Sequence, residues 1–191
     1  EIPGFMEKMI MNLNVHNSID INKFSEDDSI SFSLFITDKN HFTSNYKKLG
    51  KSSSYDNTFW EEDENDPYLS KSIGDTLDNV FFLDLESNKV SLNDINSDLK
   101  LISLIFTRCP IPNMCPAVVA NNQYLAYNFN DNVQFIIISF DYLYDRPEVL
   151  KKKYEDIQNG YSNIKFLSSY NNFNDLYKLT TQIDYGFWGV E

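Results

Sequence analysis

The sequence predicts an α/β fold in which a parallel sheet with helical crossovers follows a small antiparallel β unit, and three observations predict it. Leu99–Phe106 and Val133–Phe140 are apolar, branched runs of strand length on either side of a helical stretch. Strand, helix and strand with short joins form a right-handed βαβ crossover whose ligand-facing edge lies at the carboxyl ends of the strands. Near the start, Met9–Val15 and Ile30–Ile36 alternate with mostly period two across a polar connection that includes Glu26-Asp-Asp28, the pattern of antiparallel strands. Between these regions, residues 50–72 turn polar and irregular, with Ser52-Ser-Ser54, Glu61-Glu-Asp-Glu64 and Asp66-Pro67. The expected organisation is therefore a β domain over 1–49, an acidic linker over 50–72 and an α/β domain over 73–191.

Taken in order, Val80–Leu85 and Lys89–Leu92, joined by Glu86-Ser-Asn88, predict a β-hairpin. Leu99–Phe106 predicts a strand covered on both faces. A helix follows over about 117–129, opened by Pro116, with Val118, Leu125 and Phe129 on one side. Val133–Phe140 is a second strand buried on both faces, Asp145-Arg-Pro147 precedes a helix over about 148–158, and Ile164–Leu167 is a third strand. Asn172 caps a last helix running to about Ile183.

The totals narrow the function. A 191-residue chain that is 42% hydrophobic and 15% aromatic can build a buried core. Twenty-eight acidic against sixteen basic side chains give a net charge of −12, which repels phosphate backbones, so no nucleic-acid partner is expected. The longest apolar runs, about eight residues, fall far below the roughly 20 needed to span a bilayer.

The chemistry concentrates in Thr107–Pro116, T-R-C-P-I-P-N-M-C-P, which holds both cysteines of the chain. Cys109 leaves a strand, and Cys115 stands at a helix start whose positive dipole end favours thiolate over thiol. Two sulfurs so placed suit a structural disulfide, a redox pair or two ligands of a soft metal, and the C-x5-C spacing matches no zinc-knuckle or haem pattern. Asp141 and Asp145, beyond the next strand, are placed to tune the thiols, to hold the loop, or to cap the following helix. Met6, Met9 and Met11 form a second cluster, either filling a small core or offering soft thioethers to Cu(I).

Gly74-Asp75 before the hairpin, F-T-R-C-P-I-P-N-M-C-P over 106–116 and S-F-D-Y-L-Y-D-R-P-E-V-L over 139–150 are similar to the SCO/SenC family, with its F-x-Y-T-x-C-P-D-x-C-P and S-x-D-P-x-x-D-T-P-x-x-L motifs. The resemblance covers about 74–191 and departs from the pattern in its longer cysteine spacing and in Tyr142 and Arg146. It implies a thioredoxin-like fold that binds copper, as Cu(I), through Cys109 and Cys115. It also implies delivery of copper to, or reduction of the thiols of, the binuclear copper centre of cytochrome c oxidase, or transfer to another copper acceptor. The location it implies is the periplasm or the mitochondrial intermembrane space, with any membrane anchor outside this chain. Thiol–disulfide oxidoreductase activity of Cys109 and Cys115 is the alternative.

Glu1–Met11, E-I-P-G-F-M-E-K-M-I-M, resembles the I-P-G-F-M-x-A-M-x-M stretch of CusF-like domains, small OB-like barrels that hold Cu(I) through two methionines and a histidine. That implies ligands at Met9 and Met11, with Met6 where the CusF protein has a tryptophan over the copper. Neither His16 nor His41 matches the family's histidine. Together the two resemblances imply a chain incomplete at both ends, with one histidine ligand before Glu1 and another after Glu191.

Overall fold

A computed structural model describes residues 13–25, 28–37, 41–51, 70–109, 111, 113–129 and 132–185. They fall into two compact units, one holding an antiparallel hairpin and the other a five-stranded sheet with three α-helices.

In the hairpin unit, β1 (Asp28–Ile36) pairs with β2 (His41–Lys51). β1 lies where alternation places it, but its partner is a segment too polar to show the period. H-F-T-S-N-Y-K-K-L lacks clean alternation, and bulges at Ser29/Ile30 and Ser31/Ser33 shift the register twice. Aromatic contacts join the strands, with Phe35 stacked on Phe42 at 5.2 Å and Phe32 tilted on Tyr46 at 5.6 Å. Of the expected strand Met9–Val15, Val15 forms a single bridge to Thr43, and residues 9–12 lie outside the described residues. So do Met6, Met9 and Met11, and residues 52–69 of the expected linker.

The larger unit begins with the hairpin of β3 (Phe81–Leu83) and β4 (Lys89–Ser91). Asp84 closes its turn by accepting the backbone N–H groups of Glu86 and Asn88. β5 (Leu99–Ile105), β6 (Val133–Ser139) and β7 (Ile164–Ser168) follow as parallel strands, giving the order β4-β3-β7-β6-β5. Helices α1 (Cys115–Asn128), α2 (Pro147–Gly160) and α3 (Phe173–Gln182) make the crossovers and the end of the unit. Pro116 and Pro147 both sit in first helical turns, and the Asn172 side chain accepts from Asp175 N–H at the start of α3.

The pleat divides the core into two halves. Ile136, Ile138 and Leu167 pack with Val80 and Phe82 against Leu176 and Leu179 of α3. On the opposite face, Phe166 stacks on Tyr154 of α2 with centroids 4.5 Å apart. Each such fully buried side chain contributes about 1.5–3 kcal/mol. Among the described residues, no helix is long and apolar enough to cross a membrane.

Two expectations need correction. β5 is not covered on both faces: it pairs only with β6 among the described residues, with Leu99 64% and Leu101 36% exposed. A run of apolar residues sets what a strand can bury, not how many neighbours it has. On α1 the buried face is Cys115, Val119, Asn122 and Ala126, one residue round from the expected side, and Phe129 is exposed. Asn122 turns the helix that way, because its amide donates to Ser103 Oγ of β5 at 3.0 Å and to Val118 O at 2.8 Å.

Candidate functional site

The carboxyl ends of the three parallel strands are pinned by one buried carboxylate. Register places Ile105, Ser139 and Ser168 side by side at that edge. Just beyond them lies Asp145, fully buried. It accepts the backbone N–H of Thr107 at 2.7 Å and the hydroxyls of Thr107 and Ser139, while its own carbonyl accepts the Ser168 hydroxyl at 2.5 Å. Burial raises its pKa above the usual carboxylate value, and the hydrogen bonds from Ser139 and Thr107 only partly offset that cost.

The same grip extends along the chain towards the cysteines. The Thr107 carbonyl accepts Lys153 Nζ from α2, so every polar group of Thr107 is engaged. Arg108 donates through Nε at 3.0 Å and Nη2 at 2.6 Å to Asp141 Oδ2, and its guanidinium lies over the Tyr144 ring, 4.7 Å from the centroid. Cys109 N–H then closes a turn onto Phe106 O at 3.3 Å. Of the three roles open to Asp141 and Asp145, the structure shows them holding the loop; α2 has no side-chain cap bond at its start.

Cys115 is the first residue of α1, and both cysteines are buried thiols. Their sulfurs are hydrogen-bonded to one another, and that bond, followed by burial, pushes the Cys115 thiol well above its ordinary value. The neighbouring thiol and burial thus oppose the preference for thiolate expected at the helix start. A helix end offers about 0.3–1 kcal/mol to an exposed charge. Each pKa unit costs 1.36 kcal/mol, and burial of an ionisable group shifts it by up to several units.

Tyr154 and Lys153 of α2 join this neighbourhood without having been singled out by sequence. Burial raises the Tyr154 hydroxyl, with further contributions from the charges of Cys115, Asp145 and Cys109. Tyr154 follows Pro147 and Leu150 on the buried face of α2, a spacing that signals core and nothing more. Ser168 carried no signal either, since only the register of β6 and β7 brings it beside Asp145, and Ser139, six residues before Asp145, read only as part of a buried strand.

The structure therefore brings together Cys109, Cys115 and the two aspartates' clamp. The donor set is two soft sulfurs, and among the described residues no group of three or more His, Cys, Asp or Glu side chains is arranged to hold a metal. His16 is an exposed ring on Phe42 with Nδ1 2.7 Å from Ser18 Oγ, and His41 is buried in β2.

Residues 74–165 match the SCO1/SenC family. No curated protein matches the sequence. The structure resembles an SCO1/SenC family lipoprotein from Bacillus anthracis, at 24% identity over 61% of this chain and 70% of that one, with a TM-score of 0.50. It also resembles BsSco, a member of the Sco family of cytochrome c oxidase assembly proteins, at 22% identity over 65% of this chain and 73% of that one, again with a TM-score of 0.50. A further likeness is to copper-bound ScoI of Bradyrhizobium japonicum, at 18% identity over 58% of this chain and 68% of that one, TM-score 0.44. The likenesses to the first two show that the fold of the larger unit is thioredoxin-like.

Proposed function

We propose that this protein, whose residues 74–165 match the SCO1/SenC family, carries Cu(I) on the thiolates of Cys109 and Cys115 and passes it to a copper acceptor, for which the copper-bearing subunit of cytochrome c oxidase is the leading candidate. The observation that carries this reading is the direct contact of two buried sulfurs at the carboxyl edge of the sheet. Two thiolates complete the linear coordination that a soft monovalent ion accepts, and they disfavour hard divalent ions. Loading replaces both thiol protons, so the ion and the oxidised pair exclude one another. In this reading residues 1–49 form a copper module in which Met9 and Met11, with Met6 nearby, are a weaker store. The 50–72 linker joins it to 73–191, and the protein works on the periplasmic side of a membrane.

Reduced protein titrated with Cu(I) against a chromophoric chelator should bind one ion that is lost on Cys109→Ser and on Cys115→Ser. Uptake unchanged in either variant would remove the cysteines from the account.

The same contact supports thiol–disulfide exchange as a second reading. Forming the Cys109–Cys115 bond releases two protons and two electrons, the electrons going to a partner disulfide that is reduced to two thiols. A midpoint potential below about −300 mV, the range of inert structural disulfides, would count against it.

A further inference from the structure

We infer that Asp145 is a positioning residue for the sulfur pair, fixing through Thr107 where Cys109 meets Cys115. The two sulfurs reach their contact from different elements. Cys115 is carried by the first turn of α1, whereas Cys109 stands two residues beyond Thr107 on a chain leaving β5. Its position is therefore set by how that departure is held. Thr107 gives both its N–H and its hydroxyl to Asp145 and its carbonyl to Lys153, while Ser139 and Ser168 fasten Asp145 to the ends of β6 and β7. The path from sheet edge to Cys109 is thus fixed by groups outside the cysteine loop. Where two reacting groups must meet, a misplacement of about 1 Å costs up to a hundredfold.

The role is tested in the full chain with Asp145→Asn, Thr107→Val and Lys153→Met, each checked for folding by circular dichroism. The first readout needs no metal: the equilibrium between dithiol and disulfide in glutathione buffers. Asp145→Asn, which turns an acceptor into a donor facing donors, should make the disulfide about tenfold less favourable, raising the midpoint by about 30 mV. Thr107→Val and Lys153→Met, losing one bond each, should shift it about threefold.

The second readout is Cu(I) affinity, and it rests on the function proposed above. Asp145→Asn should lower it about tenfold, and Thr107→Val and Lys153→Met about threefold each. A residue needed only for folding would lower the urea midpoint while leaving the disulfide equilibrium and the Cu(I) affinity of the folded protein unchanged, and that outcome overturns the inference. So does a folded Asp145→Asn whose disulfide equilibrium stays within twofold of the parent. Should that variant fail to fold, unchanged equilibria in both Thr107→Val and Lys153→Met overturn it instead. If the parent protein takes up no Cu(I) while the variants shift the disulfide equilibrium, the copper reading falls and the positioning role stands.

Discussion

The two shoulders of the cysteine loop are built in opposite ways. On the β5 side, Thr107 and Arg108 are held by two buried carboxylates and a lysine, with Asp141 2% and Asp145 0% exposed. On the α1 side, Met114 stands at the helix N-cap with φ −114° and ψ −114° and no side-chain cap bond, and a backbone bond from Val118 N–H to Met114 O, at 2.9 Å, begins the helix. Burying a carboxylate is costly unless donors surround it, so the fold accepts that cost on one side only. What this teaches is a division of labour. Cys109 is located by a fixed polar clamp, and Cys115 follows the start of a helix that has no side-chain cap.

The largest test removes the clamp. Asp145→Ala leaves a buried N–H and two hydroxyls without their acceptor, each worth about 1–3 kcal/mol, offset in part by relief of a buried charge. A net loss of about 3 kcal/mol is expected in urea denaturation. A change below about 1 kcal/mol would mean that Thr107 is held by the sheet alone and that the two shoulders do not differ.

A smaller effect is expected one residue on. Asp141→Ala frees an Arg108 side chain that is 34% exposed, so water takes over much of the lost ion pair, and the cost should be about 1 kcal/mol. That ranking sharpens the contrast: within the clamp, the buried half outweighs the half at the rim. Equal losses in the two variants would reverse it.

The pH dependence of stability follows from the direction of the Asp145 shift. Burial raises its folded pKa above the ordinary 3.8, so the folded protein binds this proton more tightly than the unfolded chain does. Its contribution is fully present below about pH 3.8 and is lost as pH rises through the folded value. Relative to Asp145→Asn, the parent protein should therefore lose stability as the pH is raised from 4 towards neutrality. A difference that grows with pH instead would show the three donors outweighing burial.

How much of this was legible in the sequence divides along similar lines. The β5-α1-β6 crossover follows from two apolar runs and Pro116, and the start of α3 from Asn172, because these signals act within a few residues. The meeting of Cys109 with Cys115 follows from the same local geometry of strand exit and helix entry. By contrast, β2 is hidden because its polar residues carry no period, and the exposure of β5 depends on where it sits in the sheet. The Asp145 clamp depends on register between β6 and β7, residues 23 apart in the case of Ser168, and on Lys153, 46 residues from Thr107. Sequence offered three roles for the aspartates and no means of choosing, since the hydrogen bonds from Thr107 and Arg108 that decide it are long-range.

The smallest effect probes the other shoulder. Met114→Ser supplies a hydroxyl where the N-cap has none, and such caps stabilise by about 0.5–1 kcal/mol once the residue adopts extended backbone angles. Its present ψ of −114° is not extended, so the gain requires the turn at Asn113 and Met114 to reshape. A turn without a side-chain cap can do so, and the urea midpoint should then rise with an unchanged denaturant slope. If the variant is instead destabilised, the helix entry resists adjustment as firmly as the strand exit does, and the asymmetry between the shoulders disappears. Because serine is neutral, the change adds no charge beside the buried Cys115 thiol, so any shift in stability reports on the turn and not on the sulfurs.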